Sequence, residues 1–161
     1  MEQLVIHGGA GSLEGKTTEA QKMHDSLCKI WEETFEVLQK RSAEDAVRYA
    51  VRMLEDDPVY NAGTGSKLQA DGQIRMSAAL MDGTNNRFSG VINVQNIRNP
   101  IEAAALLSGE KHSILSSAQA TEFCRTKGIP EYNPETEFRL HEYKSNCAGI
   151  PGTVGAVALD K

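Results

Sequence analysis

The period of the apolar positions changes several times along the chain, and each change marks an element. Residues 3–7 form a short run with Leu4, Val5 and Ile6 at its centre, halted by Gly8-Gly9-Ala10-Gly11. That pattern predicts a buried strand ending in a loop whose backbone is open to close approach. From Met23 the spacing turns helical through Leu27, Ile30, Trp31, Phe35 and Leu38, with Thr18 and Gln21 in capping-box positions. One long amphipathic helix to Gln39 follows, with Cys28 on its inner face. Ser42, with Asp45 three residues on, opens a second helix whose inner face is Ala46, Val47, Ala50, Val51 and Leu54. Asp57-Pro58 ends it, because the residue before a proline is driven out of the helical region.

Strand patterning then takes over. Val59 to Ser66 is rich in glycine, and the apolar stretches near 66–70 and 74–81 flank Asp71-Gly72, a hairpin signal of the type I′ kind. The turn cluster Met81 to Asn86 leads into another strand, Phe88 to Gln95. Asn99-Pro100 opens a short helix to about Leu107, and a second is expected from about Ser113 to Lys127, before Gly128. Residues 129–152 show little regularity. Val154 to Leu159 is a nearly continuous run of small and apolar residues, the pattern of a strand covered on both faces. A buried strand followed only by Asp160-Lys161 leads to the expectation that the chain stops inside a domain and that more protein completes its sheet.

Length and charge narrow the function classes. A chain of 161 residues has room for one domain with a core of its own. The balance of 17 Lys and Arg against 22 Asp and Glu gives a net charge of −5, so the field that a nucleic-acid or anionic-membrane binder uses is missing. No apolar run approaches the roughly 18 residues that span a bilayer. Three cysteines, Cys28, Cys124 and Cys147, without a CxxC pair or a leader segment, fit a cytoplasmic chain with free thiols.

Few local motifs carry chemistry. His7-Gly8-Gly9 is similar to an esterase oxyanion loop, yet no GxSxG elbow exists; Gly63-Thr64-Gly65-Ser66-Lys67 lacks the glycine directly before lysine that a phosphate loop needs. His7, His24, His112 and His141 are read as ordinary core or surface residues without metal-ligand spacing, and Glu55-Asp56-Asp57 as the solvated end of a helix. Gly152-Thr153 is sharper. Cleavage before Thr153 would leave a hydroxyl nucleophile and an α-amine with a pKa of roughly 7.7 to 8 on one residue. Glycine before it leaves the scissile carbonyl open to that hydroxyl. The plainer alternative is that Gly152-Thr153 simply begins a strand.

Taken together, His7-Gly8-Gly9-Ala10-Gly11, Tyr60-Asn61-Ala62-Gly63-Thr64-Gly65, Met81-Asp82-Gly83, Arg98-Asn99-Pro100-Ile101 and Gly152-Thr153-Val154-Gly155-Ala156-Val157-Ala158-Leu159-Asp160 resemble the plant-type L-asparaginase/isoaspartyl aminopeptidase family. The resemblance runs from Val5 to Asp160. It implies an α+β N-terminal nucleophile hydrolase with a four-layer αββα sandwich, made as a precursor that cuts itself before a threonine. Residues 1–152 would then be the α-subunit portion and 153–161 the start of the β subunit. Thr153 matches the nucleophile, Gly152 supplies the scissile carbonyl, and Asn61 matches an asparagine that holds the nucleophile or its water. Gly8, Gly9 and Gly11 match a loop beside the site. Backbone carbonyls of Leu54, Glu55, Asp57, Tyr60, Ala62 and Thr64 match a structural sodium loop, and no cofactor is implied for the chemistry.

The same resemblance implies cleavage of L-asparagine and β-aspartyl dipeptides, a β subunit as partner, and a dimer of αβ units. The arginine and aspartate that grip the substrate would lie in the β part, so this chain alone is expected to be inactive. Departures are Ser77-Ala78-Ala79 and Ser89-Gly90-Val91, where the family usually has Asp-Ala and Ala-Gly-Ala, and a short stretch, Tyr143 to Pro151, before Gly152. Glycosylasparaginase and taspase-like threonine hydrolases are the rivals within the superfamily, and a non-catalytic fragment that only pairs with a partner is the rival outside it.

Overall fold

A computed structural model describes residues 1–10, 17–145 and 152–161. Gly11 and Cys147 lie outside the described residues. Within them the chain is a mixed α/β structure built on two small sheets. Strand β1 (Gln3–His7) is followed by helices α1 (Thr17–Lys40) and α2 (Ala43–Asp56), and strands β2 (Met76–Asp82) and β3 (Arg87–Val94) come next. The short helix α3 (Pro100–Leu107), strand β4 (Ile114–Ser116), helices α4 (Ser117–Thr126) and α5 (Glu137–Lys144), and strand β5 (Gly155–Leu159) complete the order.

The first sheet joins the two ends of the chain. β1 and β5 pair antiparallel, from Gln3 opposite Leu159 to His7 opposite Gly155. This register sets the glycine run after His7 beside the residues just before Gly155. Helices α1 and α2 pack on each other, α1 against β1 and α2 against β5. Ile30, Leu54 and Tyr60 are the buried centre of that layer, with Ile6, Met23, Leu27 and Val154 around them. Ser42 caps α2 as its sequence predicts, its hydroxyl accepting the Asp45 N–H at 3.1 Å. Asp160 adds a second tie, accepting the Ala43 N–H at 2.7 Å.

The second sheet has the order β2-β3-β4, with β4 parallel to β3. Val91, Val94 and Met76 pack with Ala103 and Leu107 of α3 and with Ala120 and Cys124 of α4. Cys124 is a buried packing residue with a free thiol.

Several local expectations change. The turn cluster Met81 to Asn86 does join β2 and β3, with the Asp82 carboxylate accepting the N–H groups of Thr84 and Asn85 and Asn86 in the left-handed conformation at φ 51. Asp71-Gly72 is only a tight turn, closed by Gln69 N–H to Gln73 O at 2.9 Å, and 66–70 is not a strand. The helix expected from Ser113 begins at Ser117, because residues 114–116 pair with β3 and Ser117 breaks the direction at φ 53. Thr18 lies inside α1, and Gln21 bonds Asp25 at 2.8 Å instead of closing a capping box. Helix α5 arises in a region without apolar periodicity, started by Thr136, which accepts the Arg139 N–H.

Cys28 is exposed, not on the inner face. Its sulfur lies 3.7 Å from His24 Nε2 across one helical turn, so this pair does have an i, i+4 spacing of the kind the histidines were expected to lack. Strand β5 is half-buried on one face only, with Val157 72% exposed, so among the described residues it is not covered on both.

Candidate active site

Pro58 shapes the loop that leaves α2. It has no N–H, so the Leu54 carbonyl loses the donor that a continuing helix would supply. The chain doubles back, and the Thr64 N–H reaches the Glu55 carbonyl at 2.7 Å. Gly63 turns at φ +48, where a Cβ would stand 2.3 Å from the Glu55 carbonyl oxygen, so no larger residue fits the reversal. Tyr60 is buried beneath the loop and donates its hydroxyl to the Met23 carbonyl at 3.2 Å. Its ring covers Gly8, where a Cβ would come within 2.8 Å of it. Loop, helix α1 and glycine run are thereby locked together.

That lock aims Asn61. Its Oδ1 accepts the Lys67 N–H at 2.8 Å, and its Nδ2 donates to the Gly152 carbonyl at 2.9 Å. The first bond fixes which way the amide faces, and the second sets a donor on the carbonyl before Thr153. Gly9 closes the other side. At φ +116, its Cβ position lies 3.6 Å from the Thr153 carbonyl oxygen and 3.9 Å from Gly152 Cα. The Gly9 N–H is already given to His7 Nδ1 at 3.3 Å. Thr153 is exposed, and a cavity of about 1430 Å³ lined by parts of α2, β2 and β5 reaches Asn61, Gly152 and Thr153. Asn61, Gly9, Gly152 and Thr153 are thus brought together, whereas Gly8 serves the packing of Tyr60.

Three of the six loop carbonyls read as sodium ligands already accept hydrogen bonds: Glu55 from Thr64, Asp57 from Tyr60 at 3.2 Å, and Tyr60 from Arg139 at 3.5 Å. A carbonyl has a second lone pair, and the Leu54 carbonyl lacks its helical donor, so the all-oxygen donor set still fits a hard cation. Among the described residues no group of three or more His, Cys, Asp or Glu is placed to hold a metal.

The acidic trio is not a solvated helix end. Glu55 is 3% exposed, and its Oε1 accepts the Ile101 N–H at 3.0 Å. Burial pushes its carboxyl up to about 8, so it sits neutral near pH 7 and holds the start of α3 without an uncompensated charge. Asp56 pairs with Arg98 at 2.6 Å, and Asp57 accepts the Ser26 hydroxyl at 2.6 Å.

Residues 132–139 brace the Asn61 loop through contacts that no sequence pattern announces. The Pro134 carbonyl accepts the Gly65 N–H at 3.2 Å, the Tyr132 hydroxyl meets Thr64 Oγ1 at 2.9 Å, and Arg139 Nε donates to the Gly65 carbonyl at 2.6 Å. The one sequence cue was Thr136 followed by Glu137, a helix start in a stretch otherwise without pattern.

A family model described as asparaginase matches residues 1–149. The chain belongs to the asparaginase family. Among the relatives of this family member, a Synechocystis protein named isoaspartyl peptidase/L-asparaginase is 42% identical over 180 aligned positions, covering 98% of the chain and 54% of the relative. A Nostoc protein of the same name is 43% identical, covering 98% and 57%. The human protein so named is 36% identical, covering 98% and 56%. The chain spans about half the length of the curated relatives it matches. Among the described residues no helix is long and apolar enough to cross a membrane.

Proposed function

We propose that this chain is the amino-terminal portion of a threonine amidohydrolase that cleaves itself between Gly152 and Thr153 and then hydrolyses L-asparagine and β-aspartyl dipeptides. The observation that carries the reading is the Asn61 amide donor, 2.9 Å from the carbonyl that self-cleavage would attack. In that step Thr153 Oγ adds to the Gly152 carbonyl carbon while negative charge gathers on the oxygen facing Asn61 Nδ2. The Gly152–Thr153 C–N bond breaks, an ester forms, and the proton lost by the hydroxyl ends on the new α-amine. Water then hydrolyses the ester, leaving a Gly152 carboxylate and a free Thr153. A preorganised donor at such an oxygen is worth about 3 to 4 kcal/mol of barrier.

After maturation Thr153 carries nucleophile and base on one residue. Its hydroxyl attacks the side-chain amide carbonyl of the substrate, the α-amine takes the proton and returns it to the leaving ammonia or amino acid, and water releases aspartate from the acyl-enzyme. Two relatives at 42% and 43% identity carry the name isoaspartyl peptidase/L-asparaginase, which supports this substrate class.

The groups that grip the substrate's α-carboxylate and α-amine belong, in this reading, to a β subunit beginning at Thr153. It would complete an αββα sandwich with residues 1–152, and αβ units would pair as a dimer. The carbonyls of Leu54, Glu55, Asp57, Tyr60, Ala62 and Thr64 would hold a structural sodium ion that steadies the Asn61 loop and takes no part in bond making.

Hydrolysis of a β-aspartyl dipeptide by the protein expressed from its complete reading frame tests the function. Thr153→Ala should abolish it and Thr153→Ser should retain part of it, measured as released aspartate. Normal turnover by Thr153→Ala would refute the nucleophile assignment.

A further inference from the structure

We infer that Arg139 is a positioning residue for self-cleavage: its guanidinium holds the Tyr60 and Gly65 carbonyls on either side of Asn61 and so keeps the Asn61 amide on the Gly152 carbonyl. This inference rests on the proposed self-cleavage and extends it to a helix that the chemistry does not touch.

The burial pattern of α5 is unusual for a docked helix. Arg139 is its one buried residue, whereas the aromatic Phe138 beside it is 64% exposed. An amphipathic helix normally docks through an apolar stripe; this one docks through a charge. A buried guanidinium is costly unless its donors are met. Here Nε donates to the Gly65 carbonyl at 2.6 Å, Nη2 to the Tyr60 carbonyl at 3.5 Å and Nη1 to Glu142 at 2.7 Å, and the Phe138 ring lies 5.2 Å from the guanidinium carbon.

Those two carbonyls bracket the residue that matters. Tyr60 immediately precedes Asn61, and Gly65 lies just before the segment whose Lys67 N–H fixes the orientation of the Asn61 amide. One rigid, planar fork binding both sides sets the width of the loop, a task that a single flexible ammonium cannot perform. The Pro134 and Tyr132 contacts bind the same loop from the same segment, so the arginine acts within a prepared seat. Losing the fork would leave Asn61 free to drift from the carbonyl, and a displacement near 1 Å costs catalysis on the order of a hundredfold.

The test follows self-cleavage of the full-length precursor on a denaturing gel, in the parent and in Arg139→Ala and Arg139→Lys. The account expects Arg139→Ala to cleave at least about tenfold more slowly. Low-millimolar guanidinium should speed that variant while equal sodium chloride or urea does not, and the parent should not respond. A merely structural loss would show no such selective rescue. Arg139→Lys keeps a charge in the seat and covers the case in which the alanine variant does not fold; it should also cleave more slowly, with a melting temperature close to the parent's. Cleavage at the parental rate in either variant, or a slowed Arg139→Ala that guanidinium leaves unchanged, overturns the role of Arg139. A parent that is never cut at Gly152–Thr153 overturns the self-cleavage reading itself, and this inference with it.

Discussion

Asn61 makes two hydrogen bonds of opposite sense, and the proposed self-cleavage would use both. Oδ1 must accept from Lys67 for Nδ2 to face Gly152. Asn61→Asp keeps the acceptor and the shape but sets a carboxylate oxygen against the carbonyl in place of a donor. Self-cleavage should fall about a hundredfold or more, as losing an oxyanion donor does elsewhere, and a time course of precursor loss measures it; cleavage at the parental rate would remove Asn61 from the reaction. The candidate site residues Asn61, Gly152 and Thr153 lie in motifs legible in the sequence, beside distinctive neighbours such as Gly63 and Gly155. Arg139 could not be read. The partners that tie it to the Asn61 loop are main-chain carbonyls far away in sequence, and a carbonyl leaves no trace in residue identity. Glu55 departs from the solvated helix end expected for a related reason: its carboxyl meets α3, whose approach no local pattern announces.

Elements follow the same division between local and distant causes. α2 was legible because Ser42, Asp45 and Pro58 act within a few residues of the ends they set. β2, β3 and the turn cluster between them are legible, whereas the further strand expected at 66–70 is not formed, although Asp71-Gly72 and Asp82 to Asn86 carry similar turn chemistry. What decides is pairing: β2 finds β3, whereas residues 66–70 are held by Asn61 at Lys67 and by the Tyr143 hydroxyl at the Ala70 carbonyl. β4, three residues long, is defined only by its partner. Asp160 shows a distant cause at α2, where its carboxylate receives the Ala43 N–H from across 117 positions. Asp160→Ala should cost about 1 kcal/mol, the usual value of a lost helix-terminal acceptor, seen as a lower melting temperature. No change would mean that water replaces the carboxylate there.

At the scale of the whole molecule, the two sheets each carry helices on one face, and among the described residues the other face is open and exposes apolar side chains. Met81, Phe88, Ile92 and Ile114 are exposed on the β2-β3-β4 sheet, and Val5, Val157 and Leu159 on β1-β5. The repeating pattern of these strands was legible, but which face would be covered was not, because that depends on what packs against it. The chain belongs to the asparaginase family and spans about half the length of its relatives. The proposed sandwich and the proposed cut both assign the remaining half a place that starts at one bond. Amino-terminal sequencing of the protein expressed from the complete reading frame tests that directly. The account predicts two polypeptides, one starting at Thr153, and a single uncut polypeptide for Thr153→Ala. An active preparation made only of the uncut chain, or a new terminus at any residue other than Thr153, would contradict it.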